Sequence, residues 1–382
     1  MSTQRSAHPK ALTGALTALV LVLGACGAEP VDTTEPGESP APTTEAGTTT
    51  SIDTTTSTAE PSGDSVTILS HDSFATGVSD ETFAAFTEET GIEVEVLAAG
   101  DAGSMVNQAI LTKDNPLADL LFGVDDTFLF RAIDGGIFTP YESTGLDAVP
   151  DEFELDPEHR VTPIDFGDVC INYDKSVFSG DLRNPFNLEQ LANPEYRDML
   201  VVEHPATSSP GLAFLLSTIA VFGEDGWHDY WRALIDNGVE VVPDWDTAYY
   251  SEATWYGGDR PLVVSYASSP PAEVIFSAEP LDEAPTGVID EGCYRQIEFA
   301  GVLDGSDNPT AAEALIDFML TVEFQETIPL TWFVYPANEN AELPPEFVEH
   351  TVVPLAPLRV DPQSIDENRE RWIDEWIEIF EG

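Results

Sequence analysis

Residues 65–70 read SVTILS, residues 92–97 read IEVEVL and residues 118–123 read ADLLFG. The first and third are short apolar runs of the kind found in covered strands, and the second alternates apolar with acidic residues. Between the first two, Asp80–Thr90 places Phe83, Ala84 and Phe86 at helical spacing and stops at Gly91. Between the second and third, Gly103–Lys113 reads as another helix. Strands alternating with helices of this length predict βαβ units, a parallel sheet and an α/β fold.

Downstream, Val161–Tyr173 (VTPIDFGDVCINY) is an extended stretch long enough to cross between domains. Strands are expected at Leu200–Val202, Gly238–Val242, Pro261–Ser265 and Tyr294–Phe299, and helices at Pro210–Phe222, Pro309–Leu320 and Glu367–Phe380. The order predicts two lobes around an interdomain cleft. Residues 65–165 with 292–382 form lobe 1 and residues 166–291 form lobe 2. Ligands of open α/β sheets sit beyond the carboxyl ends of strands, so the segments just after strands are the place to look.

Upstream the character changes. Residues 1–25 hold Arg5, His8 and Lys10, the apolar run Ala11–Leu23 and then small residues, the pattern of a secretory signal. Leu23-Gly24-Ala25-Cys26 resembles the lipobox of bacterial lipoproteins, which implies a diacylglycerol on Cys26. The plainer reading is an ordinary signal with an incidental cysteine. Residues 26–64 are Thr, Ser, Pro, Glu and Gly with few apolar residues, and are expected to be a disordered tether. The body is then anchored by lipid to the outer face of the cell membrane, and expected to be monomeric.

The formal charge is −56, from 70 acidic and 14 basic residues. Nucleic acid and anionic membrane surfaces would repel such a chain. A cationic ligand fits it, although most of these carboxylates must be solvated. After Cys26, only Cys170 and Cys293 remain. In an exported chain this pair is expected as a disulfide. No metal site and no cofactor are expected. There is no nucleophile elbow, no phosphate-gripping Gly-Lys-Ser/Thr loop and no metal-binding His pair, so binding without turnover is the expectation.

Candidate contacts cluster after strands. Asp72 and Ser73 follow the first, and Asp101 follows the second, where it also suits a helix N-cap. Thr207-Ser208-Ser209-Pro210-Gly211 reads as a helix start with Ser209 as cap and Pro210 at the first helical position. It is either a plain helix start or, if it faces the cleft, an anion site. Aromatics gather in three loops: Trp245, Tyr249 and Tyr250; Tyr266, followed by Ser269-Pro270; and Trp332, Phe333 and Tyr335. Together they offer faces for a flat, positively charged ring. The adjacent Tyr249-Tyr250 also admits a ferric-ion reading, and the charge admits a polyamine.

These motifs stand in a familiar order. Asp72-Ser73-Phe74, Asp101-Ala102-Gly103, Ala118-Asp119 with Gly123, Tyr173-Asp174-Lys175, Thr207–Leu212, Ser265-Tyr266 with Ser269-Pro270, Tyr335-Pro336 and the ending Arg371–Trp376 together resemble bacterial periplasmic thiamine-binding proteins. The resemblance covers the body from residue 65 to the end. It implies a type II periplasmic-binding-protein fold that closes on thiamine, thiamine monophosphate or thiamine diphosphate and hands it to an ABC permease. It also implies that Asp72, Ser73 and Asp101 line one lobe, that Ser208 and Ser209 hold phosphate oxygens, and that Trp245, Tyr266 and Trp332 or Phe333 pack the rings. His71 stands where the family commonly has Tyr, and Ala272 where some members have an aromatic. A sensor or adhesion protein with the same fold is the alternative from another class.

Overall fold

The structure, a computed structural model, describes residues 65–382. The expected signal, Cys26 and the tether lie outside the described residues. The first three strands are β1 (Ser65–Ser70), β2 (Glu93–Ala98) and β3 (Leu120–Asp125), with β1 between the other two and parallel to both. Helix α1 (Asp72–Gly77) and helix α2 (Ala84–Thr90) connect β1 to β2, and α3 (Ala102–Leu111) connects β2 to β3. This is the expected βαβ order, with boundaries shifted by a residue or two, except that α2 begins four residues later than expected and α1 is an additional short helix. β2 is an edge strand whose exposed Glu93 and Glu95 discourage pairing with another chain.

After α4 (Leu129–Gly135) the chain enters β4 (Thr162–Asp174), the expected crossing stretch. Short α5 (Leu188–Leu191) leads to β5 (Leu200–Glu203), α6 (Ser209–Phe222), α7 (Trp227–Asp236), β6 (Glu240–Val242), β7 (Leu262–Tyr266) and α8 (Pro270–Ile275). The chain returns along β8 (Thr286–Val302), a 17-residue strand of which Tyr294–Phe299 is only a part. α9 (Pro309–Met319), α10 (Val322–Gln325), α11 (Ile328–Thr331), β9 (Tyr335–Pro336), α12 (Pro345–His350) and α13 (Pro362–Glu381) complete the fold.

The sheet order is β2-β1-β3-β8-β4-β7-β5-β6, with β9 on β4. β8 is antiparallel to both β3 and β4, and β4 is antiparallel to β7, so the sheet is mixed rather than parallel. Two long return strands impose this: a chain that crosses between halves and comes back beside itself must run antiparallel. β3 pairs with the far end of β8, at Glu298–Val302, while β7 pairs with Val169–Tyr173 of β4. β4 and β8 therefore carry one set of strands at each end and join the halves. Their ladder is irregular between Val169 and Ile171, where Asp290–Cys293 on β8 is looped out. The disulfide Cys170–Cys293 closes that gap.

α6 is apolar all round and almost wholly buried, as a helix under a sheet must be. α13 reaches both halves. Arg369 lies over the Phe128 ring at 4.3 Å and Arg131 pairs with Glu370 at 2.7 Å. On the other side Trp376 meets Trp231 edge to face at 5.3 Å, and the Trp372 indole N–H donates to Glu224 at 3.0 Å. Among the described residues no helix is long and apolar enough to cross a membrane.

Candidate functional site

The segments after β1, β2, β5, β6 and β7 converge on one cavity of about 730 Å3, a volume suited to a small organic ligand. Ser73, Asp101, Ser209, Trp245, Tyr249, Tyr266, Ser269, Trp332 and Phe333 all line it. Segments from before and after the crossing strand meet at its wall. The Ser73 hydroxyl faces Asp246 at 3.4 Å, the Trp245 backbone N–H donates to Asp101 at 3.3 Å, and the Gly103 N–H donates to the Thr207 carbonyl at 2.9 Å.

Two of the expected residues lie elsewhere. Asp72 is exposed and is absent from the lining; its carboxylate accepts from the Gly100 N–H at 2.9 Å while its own N–H donates to the Gly100 carbonyl. Successive residues on a helix point about 100° apart, so when α1 turns Ser73 inward Asp72 faces out and clasps the next loop. Ser208 is fully buried and does not reach the cavity. It, not Ser209, holds the extended cap conformation of α6, so the helix begins one residue earlier than expected and Pro210 is its second residue.

Asp101 combines both roles considered for it. It caps α3, accepting from the Ala102 N–H at 2.7 Å, and it faces the cavity. Burial raises its pKa, against the pull of the Ser208 hydroxyl and the Ala102 N–H.

The aromatic wall comes from the second half. The Trp245 ring stacks on Tyr249 at 4.8 Å and 19°, and its indole N–H donates to Ser265 at 2.9 Å; Ser265 in turn touches Ser269 at 3.0 Å. Tyr266 stands 6.5 Å from Trp245 and donates its phenol to Gln296 at 3.1 Å. Gly167 lets the Tyr266 ring lie against β4, since a Cβ there would sit 2.7 Å from it. Tyr249 and Tyr250 do not act alike. Tyr249 is buried and donates to Glu273 at 2.9 Å, whereas Tyr250 is half exposed. They belong to a π-helical turn, Thr247–Glu252, where a loop was expected.

Opposite stand both residues of the Trp332-Phe333 pair. The Trp332 indole N–H donates to Asp165 at 3.1 Å and its ring meets Phe74 edge to face at 5.0 Å. Phe333, held at φ 58°, meets Phe276, the residue that ends α8, at 5.6 Å. Phe276 lies four residues beyond Ala272, so the wall keeps an aromatic ring despite the small residue at 272.

The floor holds what the sequence reading missed: His71, Asp246 and Glu298, with Asp125 and Asp165 beside them. Gly123, at φ 95°, makes room for His71; a Cβ there would collide with the imidazole. His71 Nδ1 accepts from the Phe74 N–H at 3.2 Å, and Nε2 lies 3.4 Å from Glu298. An accepting Nδ1 leaves the proton of the neutral ring on Nε2. Burial lowers the His71 pKa, although Asp101, Asp165, Asp246 and Asp125 all pull it upward. Burial also pushes Glu298 up to about 8 and Asp125 to about 6, and holds Asp165 well above the carboxylate range, with Glu298 as its second cause. At neutral pH the Glu298 carboxyl therefore keeps its proton until a positive charge arrives to replace it.

Residues 115–355 match the family model described as bacterial extracellular solute-binding protein, more than half of the chain. The chain is 30% identical over 321 residues to the thiamine-binding periplasmic protein of Brucella suis biovar 1 (strain 1330), covering 82% of this chain and 91% of that one. It is 30% identical over 316 residues to the Escherichia coli (strain K12) protein of the same description, covering 81% and 92%. A solved periplasmic thiamin binding protein superposes with a TM-score of 0.74 at 26% identity, covering 83% of this chain and 96% of that one. The fold is thus the two-lobed type II binding-protein fold, in a group of proteins that bind rather than transform their solutes. The chain belongs to the bacterial extracellular solute-binding protein family.

Proposed function

We propose that this chain captures thiamine, or thiamine with one or two phosphates, outside the cytoplasm and delivers it to an ABC import permease. One observation carries the reading: a single cavity walled by Trp245, Tyr266, Trp332 and Phe333 has carboxyl groups for a floor. A thiazolium ring needs aromatic faces and a counter-charge, and an aminopyrimidine needs polar edges such as Asp101, Ser269 and Glu298 offer. The names of the relatives support the same ligand class.

Ser73, Asp101, Ser209, Trp245, Tyr249, Tyr266, Ser269, Trp332 and Phe333 are the proposed contacts, joined by His71, Asp246 and Glu298. Lobe 1 (65–165 with 292–382) and lobe 2 (166–291) close on the ligand, because only the closed form makes both sets of contacts. Export by the signal, a diacylglycerol on Cys26, a tether over residues 26–64 and a monomeric body complete the proposal.

The test is a titration of the purified protein with thiamine, followed by tryptophan fluorescence, since Trp245 and Trp332 line the cavity. A saturable change at micromolar or lower thiamine is expected. A flat response up to millimolar thiamine would rule the ligand out.

A further inference from the structure

The family resemblance treats the three forms of thiamine alike; the charges around this cavity do not. We infer that the cleft selects the unesterified cation and discriminates against its phosphate esters, an inference that rests on the thiamine reading above.

Among the described residues that line the cavity there is no lysine and no arginine, whereas Glu81, Asp101, Asp246 and Glu298 all do. Arg295, three residues before Glu298 on β8, is turned to Asp168 through two hydrogen bonds of 2.7 and 2.8 Å. The one basic side chain in the lining is His71. Its ring is buried, which lowers its pKa, and Nδ1 already accepts from the Phe74 N–H.

The feature that would otherwise attract an anion is the start of α6, and the protein answers it internally. The Ser208 hydroxyl lies beside the Asp101 carboxyl and the Ser209 hydroxyl beside Asp125, neither with the geometry of a settled hydrogen bond. Pro210, the second residue of the helix, has no N–H to give. Gly211 is pressed against the backbone of Glu203, whose own carboxyl is buried without a partner. The positive end of the helix therefore already faces carboxyl groups.

A phosphate brings a charge of about −1.5 to −2 at neutral pH. Placed here it would meet the Glu81, Asp101, Asp246 and Glu298 carboxyl groups and no lysine or arginine, while the thiazolium end gains nothing in compensation. Unesterified thiamine, a monocation, meets no such opposition.

The experiment is calorimetry on the purified full chain with thiamine, thiamine monophosphate and thiamine diphosphate as separate probes at pH 7. Thiamine is expected to bind, and each ester to bind about tenfold or more weakly. An ester that binds as tightly as thiamine overturns the inference and leaves the thiamine reading standing. If no form binds, that reading itself fails. The variant Asp246→Lys supplies the missing positive charge at a half-buried place in the floor. It is expected to shift the ester-to-thiamine affinity ratio by about tenfold toward the ester. An unchanged ratio in a folded Asp246→Lys protein would overturn the electrostatic account.

Discussion

If a proton on Glu298 must leave before a cation can pair with it, thiamine affinity depends on pH. Glu298 is 6% exposed, lines the cavity and is pushed up to about 8 by burial. Around it stand His71 from the β1 end, Asp101 from the start of α3, Asp125 from β3, Asp165 from β4, Gln296 from its own strand and Tyr266 from β7. A bound cation favours the ionised form and lowers that pKa, so the complex holds fewer protons than the empty protein. Affinity therefore rises with pH up to about 8 and then levels off. At pH 7, ionising a group of pKa 8 costs about 1.4 kcal/mol, a factor of about ten in affinity. Between pH 6 and 8 the rise is expected to reach about 50-fold if the bound form stays ionised throughout. His71 does not reverse the slope: burial lowers its pKa, and any proton its ring sheds as pH rises also favours a cation. The stability of the empty protein should move the other way. Glu298 in the fold keeps a proton that the unfolded chain releases above about 4.5, so this stabilisation fades as pH climbs from there to about 8. The assay is calorimetry at pH 6, 7, 8 and 9 in buffers of different ionisation enthalpy, which counts the protons released, beside thermal melts of the empty protein. Glu298→Gln should flatten the binding slope. A pH-independent affinity in the parent protein, or an unchanged slope in that variant, refutes the reasoning.

Other outcomes follow from the same geometry. Trp245→Ala removes a stacking face over the ligand and is expected to weaken thiamine by about 2 kcal/mol, roughly thirtyfold, in calorimetry, whereas Trp245→Phe keeps the face and loses much less. Gly123→Ala forces a side chain into φ 95° and against His71, and should lower stability by about 2 kcal/mol or more in a denaturant titration, together with thiamine affinity. Asp72→Ala should cost stability through the lost clasp on Gly100 while thiamine affinity stays within about threefold, since Asp72 does not line the cavity. Replacing both Cys170 and Cys293 by Ala opens a loop of 123 residues and should cost up to about 5 kcal/mol by chain entropy, read as a fall in the denaturation midpoint.

What could be read from the residues was what depends on local pattern. β1 and β3 are apolar runs, and the Phe83-Phe86 spacing gives α2. The disulfide followed from counting cysteines in an exported chain, and the cleft aromatics followed from their gathering in three loops. The misses lie where neighbours in space, not in sequence, decide. Glu298 and Asp165 are two acids among 70, and nothing local separates a carboxyl that is solvated from one that is buried. The available signal was that Gln296-Ile297-Glu298-Phe299-Ala300 and Pro163-Ile164-Asp165-Phe166 place an acid within covered strands, where an unpaired charge is costly. Asp72 and Ser73 could not be told apart before the direction of α1 was known. The shift of the α6 start from Ser209 to Ser208 has the same origin, for the cap is fixed by an extended backbone rather than by a side-chain hydrogen bond.

α13 imposes a choice on any opening of the molecule. It grips the first half through Arg369 over Phe128 and an exposed arginine–glutamate pair, and the second through two tryptophans and the His228–Glu375 contact at 2.9 Å. A rod fastened at two places cannot follow both when they separate, and the looser fastening lets go. The first half is held by one arginine over a ring and one exposed ion pair, the second by two buried tryptophans, so the last twenty residues would travel with Trp231 when the halves part.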